Sequence, residues 1–203
     1  MRTQNDAIGY RNIELTGLAD VDAFEKAKSS VERGAYDEAL APMEKAFPSA
    51  VDRSNGFCAL GAYLDSLEMD TGAGWCYFNA LELDERNEMA LGNVGMIMLH
   101  VGNFEKAKSC FETILSMKRQ PAALYLRGLA NYNLRNFDGA GDDFSAAFDA
   151  DPGRFDCLYG LGMVCQNTGK YLDGIEYFSR YIEAVQECNP AYVQMAVIYH
   201  ELG

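Results

Sequence analysis

The sequence predicts an all-α fold, an α-solenoid of stacked antiparallel helix pairs, and three observations carry that prediction. A small residue recurs at Ala27, Gly61, Gly95, Gly128, Gly162 and Ala196, at steps of 34, 34, 33, 34 and 34 residues. A second small series, Ala39, Ala73, Ala107, Ala140 and Gly174, keeps the same step. A large apolar residue follows each member of that second series one helical turn later and on the same face, at Met43, Tyr77, Phe111, Phe144 and Phe178. A fixed period of this length marks supersecondary units that bury a core only by stacking on one another.

The first small series lets helix A of a repeat approach its own helix B closely. The second does the same from helix B, and the large residue fills the space beside them. Between the helices stand turn signals at Gly34 to Asp37, Gly102 to Glu105, Arg135 to Asp138 and Gly169 to Leu172. A glycine there supplies the positive φ that ends a helix. The aromatic residue two positions on (Tyr36, Phe104, Phe137 or Tyr171) opens the apolar stripe of helix B.

The register places repeats at 20–53, 54–87, 88–120, 121–154 and 155–188, then a single helix at 189–203, with an amino-terminal tail at 1–19. Three departures carry expectations. Lys26 and Ser30 occupy positions where later repeats hold Leu60 and Leu64, as in a solvated cap. Asp70 replaces an aromatic residue, which predicts a looser turn, and Pro42 predicts a kinked or shortened helix B. The last helix is apolar on more than one face, through Tyr192, Met195, Val197, Ile198 and Tyr199. The favoured expectation is that further repeats follow, and the other is that this end meets a partner. The tail, with Ile13, Leu15 and Leu18, is expected to cover the first repeat, or else to dock in the groove.

Charge and cysteine usage narrow the function. Seventeen Lys+Arg against 30 Asp+Glu give a formal net charge of -13, which repels phosphate backbones and anionic lipid surfaces, so no nucleic-acid partner is expected. The first ten residues are too polar for a signal-peptide core, and no segment has the apolar length of a membrane span. Cys58, Cys76, Cys110, Cys157, Cys165 and Cys188 form no CxxC pair and lie far in sequence from His100 and His200, which disfavours zinc. Reduced, buried thiols in a cytoplasmic setting are the expectation.

Large residue, Leu-Gly, large residue, central Ala and late aromatic recur together in this chain. Repeat two has Phe57, Leu60, Gly61, Leu64, Ala73, Tyr77 and Ala80. Repeat five has Leu158, Leu161, Gly162, Gly174 and Phe178, and repeat four adds Asp151 and Pro152 at its junction. This pattern resembles the tetratricopeptide repeat over about residues 20–203. The resemblance implies a right-handed superhelix whose A helices line a concave groove. On it fall Asn93, Met96 and His100 in repeat three, Tyr125, Leu129, Tyr132 and Asn133 in repeat four, and Tyr159, Met163 and Gln166 in repeat five. Co-chaperone members of the family grip an acidic carboxyl terminus with two lysines, two asparagines and an arginine. Here Asn93 alone matches, so that carboxylate clamp is not expected. A groove of Tyr, Met and Leu with scattered amides suits an apolar or amphipathic peptide.

Trp75 and Phe78, three apart on helix B of repeat two, suggest a second surface with Trp75 facing outward, the favoured alternative being that Trp75 packs on a neighbouring loop. Asp142 and Asp143 read as a solvated face. Adjacent on one helix, they diverge and cannot act as an acid/base pair, and His100 and His200 stand roughly 30 Å apart if each repeat adds about 10 Å. Catalysis, a metal and a cofactor are therefore not expected. The functional expectation is a protein-binding adaptor, scaffold or chaperone-like module. The alternatives are a homo-oligomer joined through the last helix or Trp75, and an accessory region of a larger enzyme.

Overall fold

In a computed structural model, residues 17–185 and 189–203 are described, and every regular element among them is an α-helix. The helices are α1 (Val21–Glu32), α2 (Asp37–Ala46), α3 (Ala50–Ser66), α4 (Asp70–Leu83), α5 (Glu88–His100), α6 (Phe104–Met117), α7 (Pro121–Asn133), α8 (Phe137–Ala150), α9 (Asp156–Asn167), α10 (Tyr171–Ala184) and α11 (Asn189–Leu202). Odd-numbered helices are the A helices and even-numbered ones the B helices. None of the described helices is long and apolar enough to cross a membrane. Most of the tail lies outside the described residues, as does Cys188.

Contacts divide the chain into an amino-terminal unit ending at Ile97 and a carboxy-terminal unit beginning at Met98, so the division falls within α5. In the first unit α2 packs on both α1 and α3, and α3 packs on α4. In the second, α6 packs on α7, α8 lies between α7 and α9, and α10 lies between α9 and α11. This is the helix-pair stacking of a solenoid.

The small residues of the period act as seats for the large ones. A Cβ built on Gly61 would stand 2.7 Å from the Tyr77 ring, one on Gly128 2.7 Å from Phe144, and one on Gly162 2.7 Å from Phe178. All three rings are essentially fully buried. In repeat one the seat is Ala27 and its occupant Met43, both fully buried. An unbranched side chain fits a seat that keeps its methyl group, whereas a ring requires bare backbone.

The turns repeat with the same regularity. Ala35, Met69, Asn103, Asn136 and Lys170 each donate their backbone N–H to the carbonyl five residues earlier, at 2.9–3.0 Å. The residue before each donor is left-handed: Gly34 at φ 76°, Glu68 at 59°, Gly102 at 78°, Arg135 at 60° and Gly169 at 74°. Asp70 therefore does not loosen its turn, because closure depends on Glu68 and Met69 and not on the residue that opens α4. Asn103 and Asn136 also cap α6 and α8, accepting from Lys106 N at 3.3 Å and Gly139 N at 3.2 Å.

Repeat one differs from the others in detail. α2 runs through Pro42 but has 10 residues, against 14 in α4, α6, α8 and α10. Ser49 follows Pro48 and caps α3 by accepting from Asp52 N at 3.5 Å, so α3 starts at Ala50 and not at 54. Lys26 is solvated, but Ser30 is fully buried, contrary to a cap exposing both. Its hydroxyl is small enough to sit beneath α2 and accepts from Arg33 at 3.5 Å.

Two substitutions separate the two glycine roles. Gly162→Ala forces the Phe178 ring to shift and is expected to lower unfolding stability by about 1–3 kcal/mol, despite the better helix propensity of alanine. Arg135→Gly relieves a left-handed side chain and is expected to raise it by up to about 1 kcal/mol, net of the glycine's greater freedom when unfolded. Urea denaturation followed by circular dichroism reads both; the same sign for the two would contradict the assignment.

Candidate functional site

The period that builds the core also arrays residues on the A helices. In the carboxy-terminal unit α9 touches both α7 and α11. Tyr125, Leu129 and Tyr132 of α7 stand 34 residues before Tyr159, Met163 and Gln166 of α9. The next members on α11 are Val193, Val197 and His200. The six residues on α7 and α9 are half-buried, while Val193 and Val197 are exposed. Val193 was not among the expected surface residues, although the step from Tyr159 leads to it.

Each tyrosine shows one side to a B-helix ring. Tyr125 lies 5.8 Å from Phe144, Tyr132 5.7 Å from Phe137, and Tyr159 5.5 Å from both Phe178 and Tyr181. These rings are therefore fixed before any ligand arrives, and little side-chain entropy remains to be lost on binding. The Arg154 guanidinium approaches the Tyr125 ring to 5.7 Å and Asp151 to 3.9 Å.

Amides complete the face. Asn167 donates to the Tyr132 hydroxyl at 2.8 Å and to the Met163 carbonyl at 2.9 Å, tying α9 to α7. Burial raises the Tyr132 phenol above its ordinary range, so it stays protonated at neutral pH. Exposed Asn133 donates to the Leu129 carbonyl at 2.8 Å. The Gln166 Oε1 is buried without a hydrogen-bond partner.

The remaining expected residues are distributed otherwise. Asn93 and Met96, both half-buried, belong to the amino-terminal unit, where the Asn93 amide donates to the Met89 carbonyl at 3.1 Å. His100 is exposed on the other side of the division. Trp75 does not face outward. It stacks on Tyr36, in the turn before α2, at 5.3 Å and meets Phe57 of α3 edge-on at 5.5 Å, and is half-buried. Phe78 is half-buried.

Comparison with known proteins places this geometry. The tetratricopeptide-repeat family profile matches residues 99–155. A solved tetratricopeptide-repeat protein from Parabacteroides merdae superimposes with TM-score 0.68 at 22% identity, over 90% of this chain and 73% of that one. YrrB, described as a TPR protein with an unusual peptide-binding site, superimposes with TM-score 0.62 at 20% identity, over 72% and 76%. The chain has the fold of tetratricopeptide-repeat proteins, and its residues 99–155 match that family. It is also 25% identical over 148 residues to RNA polymerase II-associated protein 3 of Xenopus laevis; the match covers 72% of this chain but only 21% of that relative's length.

Two polar networks in this repeat protein escaped sequence reading. Asp143 is not solvated: at 4% exposure it accepts from Arg127 Nε at 2.9 Å and from Asn131 Nδ2 at 2.9 Å. Arg127 and Asn131 lie on α7, 16 and 12 residues earlier, so only the folded pairing of α7 with α8 reveals the cluster. In the amino-terminal unit, Asn87 donates to Ser54 Oγ at 2.9 Å and to Asn55 Oδ1 at 3.0 Å, and its own Oδ1 accepts from Ala90 N at 3.1 Å. The Ser54 hydroxyl donates to the Ala80 carbonyl at 2.9 Å. One junction amide thus joins α3, α4 and the start of α5.

The five described cysteines are free and buried, and among the described residues no three His, Cys, Asp or Glu cluster as metal ligands would. Burial pushes the Cys58 and Cys157 thiols up to about 12, from an ordinary value of 9.0. Cys58 donates its S–H to Asn87 Oδ1 at 3.4 Å, which only the neutral thiol can do. The folded protein therefore holds these protons more tightly than the unfolded chain. Their contribution is fully present below about pH 9 and is lost as pH rises towards 12. Melting temperature is expected to fall between pH 9 and 11, and to fall less in Cys58→Ala/Cys157→Ala; equal slopes would contradict the linkage.

Proposed function

We propose that the A-helix face of the carboxy-terminal unit captures an apolar or amphipathic segment of another protein, as an adaptor, scaffold or chaperone-like module without a carboxylate clamp. The observation that carries this reading is the pair of rows Tyr125, Leu129, Tyr132 and Tyr159, Met163, Gln166, with every tyrosine ring already held by a B-helix ring. Held rings offer apolar area at low entropic cost, and Met163 adapts to shape. No lysine or arginine stands on these rows, so nothing there selects a carboxylate. The net charge of -13 further disfavours an acidic ligand.

By register His100 and Asn133 accompany these rows within the carboxy-terminal unit, while Asn93 and Met96 occupy the corresponding A-helix positions of the amino-terminal unit. Buried, unpaired cysteines favour a reducing compartment such as the cytoplasm.

A panel of fluorescent peptides tests the proposal: apolar, amphipathic, and acidic at the carboxyl terminus. The apolar and amphipathic peptides are expected to bind with little salt dependence, and Tyr125→Ala/Tyr159→Ala to weaken them about tenfold or more. Because both rings also cover the core, Met163→Glu serves as a second variant with less effect on folding. Preferential binding of the acidic peptide, or binding unchanged in both variants, would refute the reading.

A further inference from the structure

The carboxyl ends of α7 and α9 are joined by one polar contact, and its hydrogen bonds do not use up the groups that make it. The Asn167 Nδ2 group has two hydrogens, and both are spent: one on the Tyr132 hydroxyl at 2.8 Å, the other on the Met163 carbonyl at 2.9 Å. That fixes the amide plane and leaves Oδ1 as an acceptor with no donor among the described residues. The Tyr132 oxygen accepts from Asn167, so its own hydrogen turns elsewhere, and it meets no acceptor among the described residues. Burial holds the phenol above its ordinary pKa range, which keeps that hydrogen in place at neutral pH. Asn167 is exposed, so the pair can be reached from solvent. One repeat earlier the arrangement is missing: Asn133 also donates to its own helix carbonyl, but Leu99 stands where repeat four has Tyr132.

We propose that Tyr132 and Asn167 bind the main chain of the captured segment, at one residue held in extended conformation. This rests on the capture site proposed above and specifies what that site accepts. In an extended chain the N–H and C=O of one residue point to the same side, as they do where two antiparallel strands pair. The carbonyl takes the phenol hydrogen of Tyr132, and the N–H donates to Asn167 Oδ1. Inside an α-helix both groups are already bonded within the helix, so a helical segment leaves the pair unmatched. The partner segment is therefore extended, apolar where it meets the tyrosine rows, and neutral or basic overall, because the charge of -13 repels an acidic one. Since repeat three offers no equivalent pair, the contact also sets where along the rows the segment sits.

A leucine-rich peptide with lysine at both ends serves as the probe, in two labelled forms: one kept extended by proline, the other stapled as a helix. Titrated with the full chain and followed by fluorescence anisotropy, the extended form is expected to bind about tenfold more tightly than the helical one. Tyr132→Phe keeps the ring beside Phe137 and removes only the hydroxyl. It is expected to weaken the extended form about fivefold, the net worth of one hydrogen bond. Methylating the backbone nitrogens of the extended form one at a time is expected to expose one sensitive position with the unaltered chain, and none with Asn167→Leu. A general loosening of the fold would not produce that selectivity. Equal or tighter binding of the helical form, a flat methylation profile, or undiminished binding by both variants would overturn the proposal and leave the capture site standing. If neither form binds, the capture site itself fails and this inference falls with it.

Discussion

The architecture depends on one steric complementarity, a bulky B-helix side chain seated on a small A-helix residue 16 positions earlier. At Gly61, Gly128 and Gly162 the fit leaves no room for a methyl group, since an added Cβ would stand 2.7 Å from the ring. Close approach of the two helices, burial of the ring and exclusion of water are therefore one event. Phe144 shows how the device also links repeats, because its ring lies against Gly128 of its own A helix and within 2.8 Å of a Cβ built on Gly160 of the next. A local pairing rule thereby becomes a stacking rule, and stability grows by nearest neighbours.

That dependence explains which parts of the fold were legible in the sequence. Seats, occupants and turns recur at a fixed step, so the helix pairs could be placed before any coordinates. The structure corrected details where a residue's environment is set off the period. Asp143 looked like half of a solvated acidic pair with Asp142, because nothing near it in sequence marks Arg127 and Asn131 as partners. Ser30 looked like a cap residue because its hydroxyl is polar, although at its position size matters more than polarity. Trp75 looked exposed on a helical wheel, which omits the rings that Tyr36 and Phe57 bring from elsewhere in the fold.

The surface was less legible than the core for a related reason. Tyr125, Tyr132 and Tyr159 lie at the border, each with one side on a B-helix ring and the other outward. Sequence can assign such a residue to a row but not divide its area between core and ligand. The amides are ambiguous in the same way: Asn133 and Asn167 spend an N–H on their own helix carbonyls, while the Gln166 Oε1 is buried without a partner. Residues that first appear interchangeable as polar lining thus differ in what they have left to offer.

A seat and its occupant constrain each other, and this makes the seat residue informative. In a continuous hydrophobic core the removal of one element leaves a cavity whose shape says little about sequence, because several repackings can fill it. In a repeat array each seat has several internal precedents, and the identity of the seat residue chooses among them. Glycine admits a ring edge-on, whereas alanine lifts the approaching side chain by the radius of a methyl group and favours a flexible, unbranched one.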